Sequence, residues 1–135
     1  MLFVDTNILL AAADRSTPEH EQCVAVLDER RDVAITAAVA VETSWMIESR
    51  LGPGAEAAFV RSIAAAELDV IDLTPSDWQR CTALIDRYRD LGLGLVDASV
   101  IAIAERLGVT TIATLNRRDF AVVRPAHVEA FDLIP

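Results

Sequence analysis

Five side chains in this sequence carry oxygen donors in places where plain structure does not ask for them: Asp5, Glu42, Asp97, Asn116 and Asp119. Asp5 ends the apolar run Leu2-Phe3-Val4 and is followed by Thr6-Asn7. Glu42 sits at helical spacing from Val39, Trp45 and Met46, so a carboxylate shares a stripe with apolar residues. Asp97 heads the stripe Val100, Ile101, Ala104 and Leu107, while Asn116 and Asp119 follow the run Thr110–Leu115. Carboxylates brought together repel one another unless a cation lies between them. Oxygen donors without His or Cys select a hard ion, Mg²⁺ or Mn²⁺. Mg²⁺ keeps several waters and binds phosphate, so such a pocket suits hydrolysis of a phosphodiester by activated water. Each residue also has a plainer role open to it. Asp5 and Asp97 suit helix starts, and Asn116 and Asp119 suit turns. Glu42 resists that explanation best, because charges are seldom buried unpaired.

The elements that must position these residues can be read from pattern. Leu2–Val4 and Val33–Thr36 are short uncharged runs, as in parallel strands buried on both faces. Ile8–Ala13 reads as a short helix. Thr17-Pro18-Glu19 predicts a capped helix start with proline at the first position, burying Cys23, Val24, Val26 and Leu27 and ending near Arg30-Arg31. Helices are expected over Ala38–Leu51, stopped by Gly52-Pro53-Gly54, and over Ala55–Glu67; the strand Leu68–Leu73 follows. Thr74-Pro75-Ser76-Asp77 resembles a capping box. It opens a helix carrying Trp78, Cys81, Leu84, Ile85 and Tyr88. Gly92-Leu93-Gly94 breaks this helix, and Leu95–Leu107 forms the next, with Gly108 at its end. Thr110–Leu115 and a last segment near Val128–Leu133 complete the strands. Alternating strands and helices imply right-handed crossovers. The expected fold is therefore α/β, a three-layer α/β/α sandwich around a short parallel sheet of four to five strands, in a single domain spanning residues 1–135. In such a sheet all five polar residues fall on the carboxyl edge, where open α/β sheets bind ligands.

Composition narrows the chemistry further. The net charge of −9 argues against a protein that grips nucleic acid through a broad basic face. All 12 basic residues are arginine, which removes any mechanism that needs an amine. Cys23 and Cys81 lie far apart without a C-x-x-C, and His20 and His127 are isolated, so no zinc site is expected. No apolar run reaches the roughly 18–20 residues of a membrane span, and the N-terminus lacks a basic leader, so a cytoplasmic protein is expected. Arg117-Arg118 beside the acidic centre could hold phosphates that the pocket itself repels.

Asp5-Thr6-Asn7, Glu42, Asp97-Ala98-Ser99 and Thr114-Leu115-Asn116-Arg117-Arg118-Asp119-Phe120, in this order and spacing, resemble the PIN domain. More narrowly they resemble the VapC ribonuclease toxins of toxin–antitoxin pairs, over the whole chain. The resemblance implies a Mg²⁺- or Mn²⁺-dependent endoribonuclease acting on single-stranded regions of RNA. It implies Asp5 and Asp97 as main metal ligands and Glu42 as a third acid, either ligand or water-orienting base. Thr6, Asn7, Ser99 and Thr114 would then hold the carboxylates by hydrogen bonds. It also implies a homodimer and a VapB-like antitoxin whose tail covers the pocket. One position departs from the family pattern: Asn116 stands where an acid is usual, which removes one negative charge, and Asp119 is the residue that could compensate.

Three other readings compete with this one. A receiver domain and a haloacid-dehalogenase-like phosphatase both need a lysine, which is absent, and the phosphatase needs D-x-D where Asp5-Thr6-Asn7 stands. A catalytically weak or inactive PIN-like binding module, reduced at Asn116, is the alternative that survives.

Overall fold

The computed structural model describes residues 1–135. Five strands, β1 (Leu2–Val4), β2 (Val33–Thr36), β3 (Asp69–Ile71), β4 (Thr111–Ala113) and β5 (Asp132–Ile134), form one wholly parallel sheet in the order β3-β2-β1-β4-β5. Between them run α1 (Thr6–Ala13), α2 (His20–Glu29), α3 (Ala37–Leu51), α4 (Pro53–Ala64), α5 (Pro75–Arg87), α6 (Leu95–Leu107) and α7 (Arg117–Val122), with a 3₁₀ turn at Arg89–Leu91. The chain moves from β1 outward to β3, then crosses back to β4 and on to β5. Right-handed crossovers therefore place the outbound and returning helices on opposite faces, which gives the three layers. The order reverses between β1 and β4, and the switch point opens a crevice beyond their carboxyl ends.

The central strands are apolar because helices cover both faces. Every residue of β1 and β2 is buried, while β3 at the edge is exposed. Around them pack Ile8, Val39, Leu84, Ala98, Ile101 and Phe120, all at most 1% exposed. Helix α6 is buried from Ala98 to Ala104 and ends at Gly108, whose φ of +69° suits a residue without Cβ. The Val109 N–H then donates back to the Ala104 carbonyl at 2.9 Å. Thr74 and Asp77 form a true capping box at the start of α5, and Arg106 of α6 donates to Asp77, tying the two helices together. No helix is long and apolar enough to cross a membrane.

Some boundaries differ from expectation. Helix α1 starts at Thr6 because the Asp5 side chain accepts its N–H at 2.8 Å. Thr17-Pro18 forms a turn, with the His20 N–H donating to the Thr17 carbonyl, so α2 begins only at His20 and fully buries only Cys23. The closing strand lies later than Val128–Leu133, at Asp132–Ile134, where it pairs with β4. Trp45 leaves the stripe assigned to Glu42 and is 68% exposed. Three residues along a helix turn about 60° one way and four turn about 40° the other, so Met46 stays beside Glu42 and Trp45 swings outward.

Candidate active site

Asp5 is fixed first, by its place at the tip of the central strand. Its backbone N–H donates to the Ala113 carbonyl of β4 at 2.9 Å, and the residue is 3% exposed. Oδ1 accepts the Thr6 N–H at 2.8 Å. Oδ2 accepts the Thr114 hydroxyl at 2.8 Å and the Asn7 amide at 2.9 Å. Asn7 in turn accepts the Leu115 N–H at 2.8 Å, and the Thr114 hydroxyl accepts the Asn116 N–H at 2.9 Å. One short network thus joins the ends of β1 and β4 and holds Asp5 in a single orientation. The capping role open to Asp5 is realised on Oδ1, while Oδ2 is held by the side chains of Thr114 and Asn7.

Around this anchor lies an open cleft of about 590 Å³, lined by Asp5, Thr6, Asn7, Glu42, Asp97 and Asn116 among others. Glu42 reaches it from the second turn of α3, half-buried. Asp97 reaches it from the first turn of α6, also half-buried. Asn116 lies on the cleft wall, and its amide donates to Asp119 Oδ2 at 2.9 Å; Asp119 is not itself on the lining, though its charge reaches Asp97.

The electrostatics of the cluster follow from burial and like charge. Burial pushes the Asp5 carboxyl above its ordinary value of 3.8; Glu42 adds to this, and the hydrogen bonds from Thr114, Thr6 and Asn7 only partly offset it. Asp97 is pushed up to about 7, first by burial and then by the negative charges of Asp5, Asp119 and Glu42, with no hydrogen bond to its carboxylate in compensation. No three of the acids are gathered tightly enough to form a ready-made cage. That arrangement still fits a hard ion that keeps much of its water and needs only one or two direct carboxylates. The donor set fits as well. It is made entirely of oxygen, and the Thr6 hydroxyl, on a lining residue 4% exposed, is buried without a hydrogen-bond partner.

Several expected roles need correction. Ser99 does not hold a carboxylate. Its hydroxyl donates to the Val96 carbonyl one turn back, at 2.6 Å, as helical serines commonly do. It also pairs with the Thr36 hydroxyl at 2.8 Å, which locks the start of α6 to the end of β2. Thr6 supports Asp5 through its backbone N–H rather than its side chain. The Arg117 guanidinium turns away to donate to the carbonyls of Leu133 and Pro135, where the end of β5 leaves acceptors unpaired. It is thus engaged elsewhere, while Arg118 is exposed. Sequence reading missed Arg50, the only basic residue on the cleft lining. The signal was present, since Glu42, Met46 and Arg50 recur every four residues on α3.

The comparisons with known proteins agree with this fold. Ribonuclease VapC26 of Mycobacterium tuberculosis (strain ATCC 25618 / H37Rv) is 28% identical over 135 residues, 99% of this chain and 100% of the relative. The crystal structure of M. tuberculosis VapC20, described as a sarcin-ricin loop cleaving toxin, superimposes with a TM-score of 0.84 at 19% identity, covering 95% of this chain and 98% of that one. A toxin–antitoxin complex from Klebsiella pneumoniae gives 0.67 at 23% identity, covering 95% of this chain and 100% of that one. The PIN domain family matches residues 2–124. With its parallel sheet in the order 3-2-1-4-5, its acids at the strand ends and this match over most of its length, the chain belongs to the PIN domain family.

Proposed function

We propose that this chain is an endoribonuclease that hydrolyses phosphodiesters in single-stranded regions of RNA with the help of Mg²⁺ or Mn²⁺, and that it is the toxin of a toxin–antitoxin pair. The observation that carries the reading is the acidic cleft: Asp5, Glu42 and Asp97 reach one cavity from three elements, and Asp97 is pushed up to about 7 by burial and by its acidic neighbours. A proton or a cation relieves that repulsion, and of cations an all-oxygen site selects a hard one. When bound, the ion supplies an activated water and charge to offset that developing on the phosphate. Asp5 and Asp97 would hold it. Asp5 offers a carboxylate whose direction Thr114 and Asn7 fix, and Asp97 offers one that accepts no competing hydrogen bond. Glu42 is the third acid, placed to bind the ion or to orient the water and accept its proton. Asn116 offers an amide oxygen while its N–H₂ group restrains Asp119.

Likeness to VapC26 over the whole chain supports an antitoxin of VapB type as the partner. Val41 and Trp45, 73% and 68% exposed on the outer face of α3, suit a homodimer contact. One domain of residues 1–135 would hold the whole centre.

Asn116 favours a second reading, a PIN-like binding module of weak or no activity. Incubation with single-stranded RNA in Mg²⁺, in Mn²⁺ and in EDTA separates the two. Cleavage that depends on the ion supports the enzyme, and RNA left intact in both ions supports the binding module.

A further inference from the structure

The cleft is acidic, yet its ligand under the reading above is a polyanion. Something on its wall must hold phosphate, and only one lining residue can do so by charge. Helix α3 presents three faces. Val39, Thr43 and Ile47 are buried in the core, Val41 and Trp45 are exposed to solvent, and Glu42, Met46 and Arg50 line the cleft. The four-residue spacing of the last set keeps it on one face, and eight residues of helix rise about 12 Å. Glu42 therefore stands at the acidic end of the cleft and Arg50 at its far end, with Met46 between them and Leu51 and Leu95 nearby.

Arg50 is exposed in the last turn of α3, and no carboxylate lies within ion-pair distance of it. Asp14, also on the cleft lining, feels the charge of Arg50 without forming an ion pair with it; its Oδ1 accepts the Ser16 N–H at 3.0 Å and the Ser16 hydroxyl at 2.6 Å, and its Oδ2 accepts nothing. The guanidinium makes no hydrogen bond and no ion pair, so a phosphate entering the cleft would compete for it only with the unbonded Oδ2 of Asp14.

We infer that Arg50 is a substrate-binding residue, which grips an RNA phosphate next to the one being cleaved and so seats the strand along α3. This rests on the reading of the cleft as a ribonuclease centre. The scissile phosphate lies among Asp5, Glu42 and Asp97. A flanking phosphate meets Arg50 in a charge-assisted contact, and the intervening sugar or base lies on the carbon surface of Met46, Leu51 and Leu95. A phosphate contact made equally in the ground state and the transition state lowers KM and leaves kcat nearly unchanged, and the contact to Arg50 is of this kind.

The test compares wild type, Arg50→Ala and Arg50→Lys in the full-length protein. Steady-state cleavage of a fluorescently labelled single-stranded RNA in Mg²⁺ gives KM and kcat. Fluorescence anisotropy with the same RNA, in an Asp97→Asn background and in wild type with EDTA, gives affinity across a salt series. Arg50→Ala should raise KM about tenfold with little change in kcat. It should also lower the slope of log affinity against log salt by about 0.7, the loss of one phosphate contact on a single strand. Arg50→Lys should restore the salt slope and part of the KM.

A helix-terminal role for Arg50, favourable to the α3 dipole, predicts otherwise: a lower melting temperature with KM and salt slope unchanged. That result overturns the inference and leaves the proposed function standing. A fall in kcat at constant KM would move Arg50 to the reacting phosphate, which also overturns the placement. If wild type cleaves no RNA in Mg²⁺ or Mn²⁺, the ribonuclease reading fails, and the anisotropy comparison then judges Arg50 alone.

Discussion

At the scale of single residues, the cleft is governed by the cost of crowding carboxylates away from water. Asp97 carries that cost most visibly. In the folded protein its carboxyl is pushed up to about 7 from an ordinary 3.8, so the folded state keeps a proton that the unfolded chain releases between these values. Without metal, stability should therefore fall as pH rises from about 4 through 7. Asp97→Asn removes the titration, so in EDTA its melting temperature should gain steadily on wild type over the same range while RNA cleavage in Mg²⁺ is lost. Wild-type cleavage by Asp97→Asn would remove Asp97 from the centre. Asn116→Asp tests the neighbouring corner. It replaces the amide that donates to Asp119 by a carboxylate facing a carboxylate. The variant should be less stable in EDTA and should gain a larger thermal shift from Mn²⁺ than wild type. An Mn²⁺ shift equal to that of wild type would mean that Asn116 does not serve the ion. These residues were legible in the sequence because each broke a local pattern. The direction of a hydroxyl or guanidinium was not. Ser99 and Arg117 had the right chemistry in the right stretch, yet a carbonyl one turn back and the open end of β5 supplied nearer partners.

At the scale of elements, the sequence was most legible where local and long-range preferences agree. Helix α6 runs over Leu95–Leu107 as its flanking glycines indicated, and the capping box of α5 forms as written. Thr17-Pro18 carried a good local signal for a helix start, but the backbone turns once more, and α2 begins at His20, whose ring bonds the Ala11 carbonyl at the end of α1. A contact of that kind between elements is invisible to a pattern read along the chain. The α5 capping box also supports the site at a distance, because Asp77 accepts Arg106 of α6, the helix that carries Asp97. Burial pushes the Asp77 carboxyl up, but the bonds from Arg106 and Thr74 outweigh it and hold it below its ordinary 3.8. Its contribution is therefore present above about pH 4 and fades as acid protonates it below that. Asp77→Ala should lower unfolding stability at pH 7 by about 2 kcal/mol, measured by urea titration, with a smaller loss at pH 3. An equal loss at both pH values would show that packing rather than charge is responsible.

For the molecule as a whole, the fold class followed from alternation alone, whereas the surface proposed for contact between copies did not. Val41 and Trp45 leave a patch of exposed carbon on a chain with a net charge of −9. Two such chains repel at long range and attract at short range. Dimerisation should accordingly strengthen as salt screens the repulsion. Trp45→Glu should yield a monomer by sedimentation with far-UV dichroism unchanged, and a persistent dimer would place the contact elsewhere.

The network around Asp5 has a further consequence, one of timing. Its bonds join Asp5 and Asn7 to Thr114 across 109 and 107 residues of chain. Contacts of such long range slow folding, because the entropy of closing the loop must be met before they stabilise anything. A domain generally folds as a unit, and during synthesis β1 can receive its neighbour β4 only once residues 111–116 have been made. Asp5, first of the acids to be synthesised, waits longest for its orientation, and the growing chain passes through most of its length before it holds a cutting centre at all.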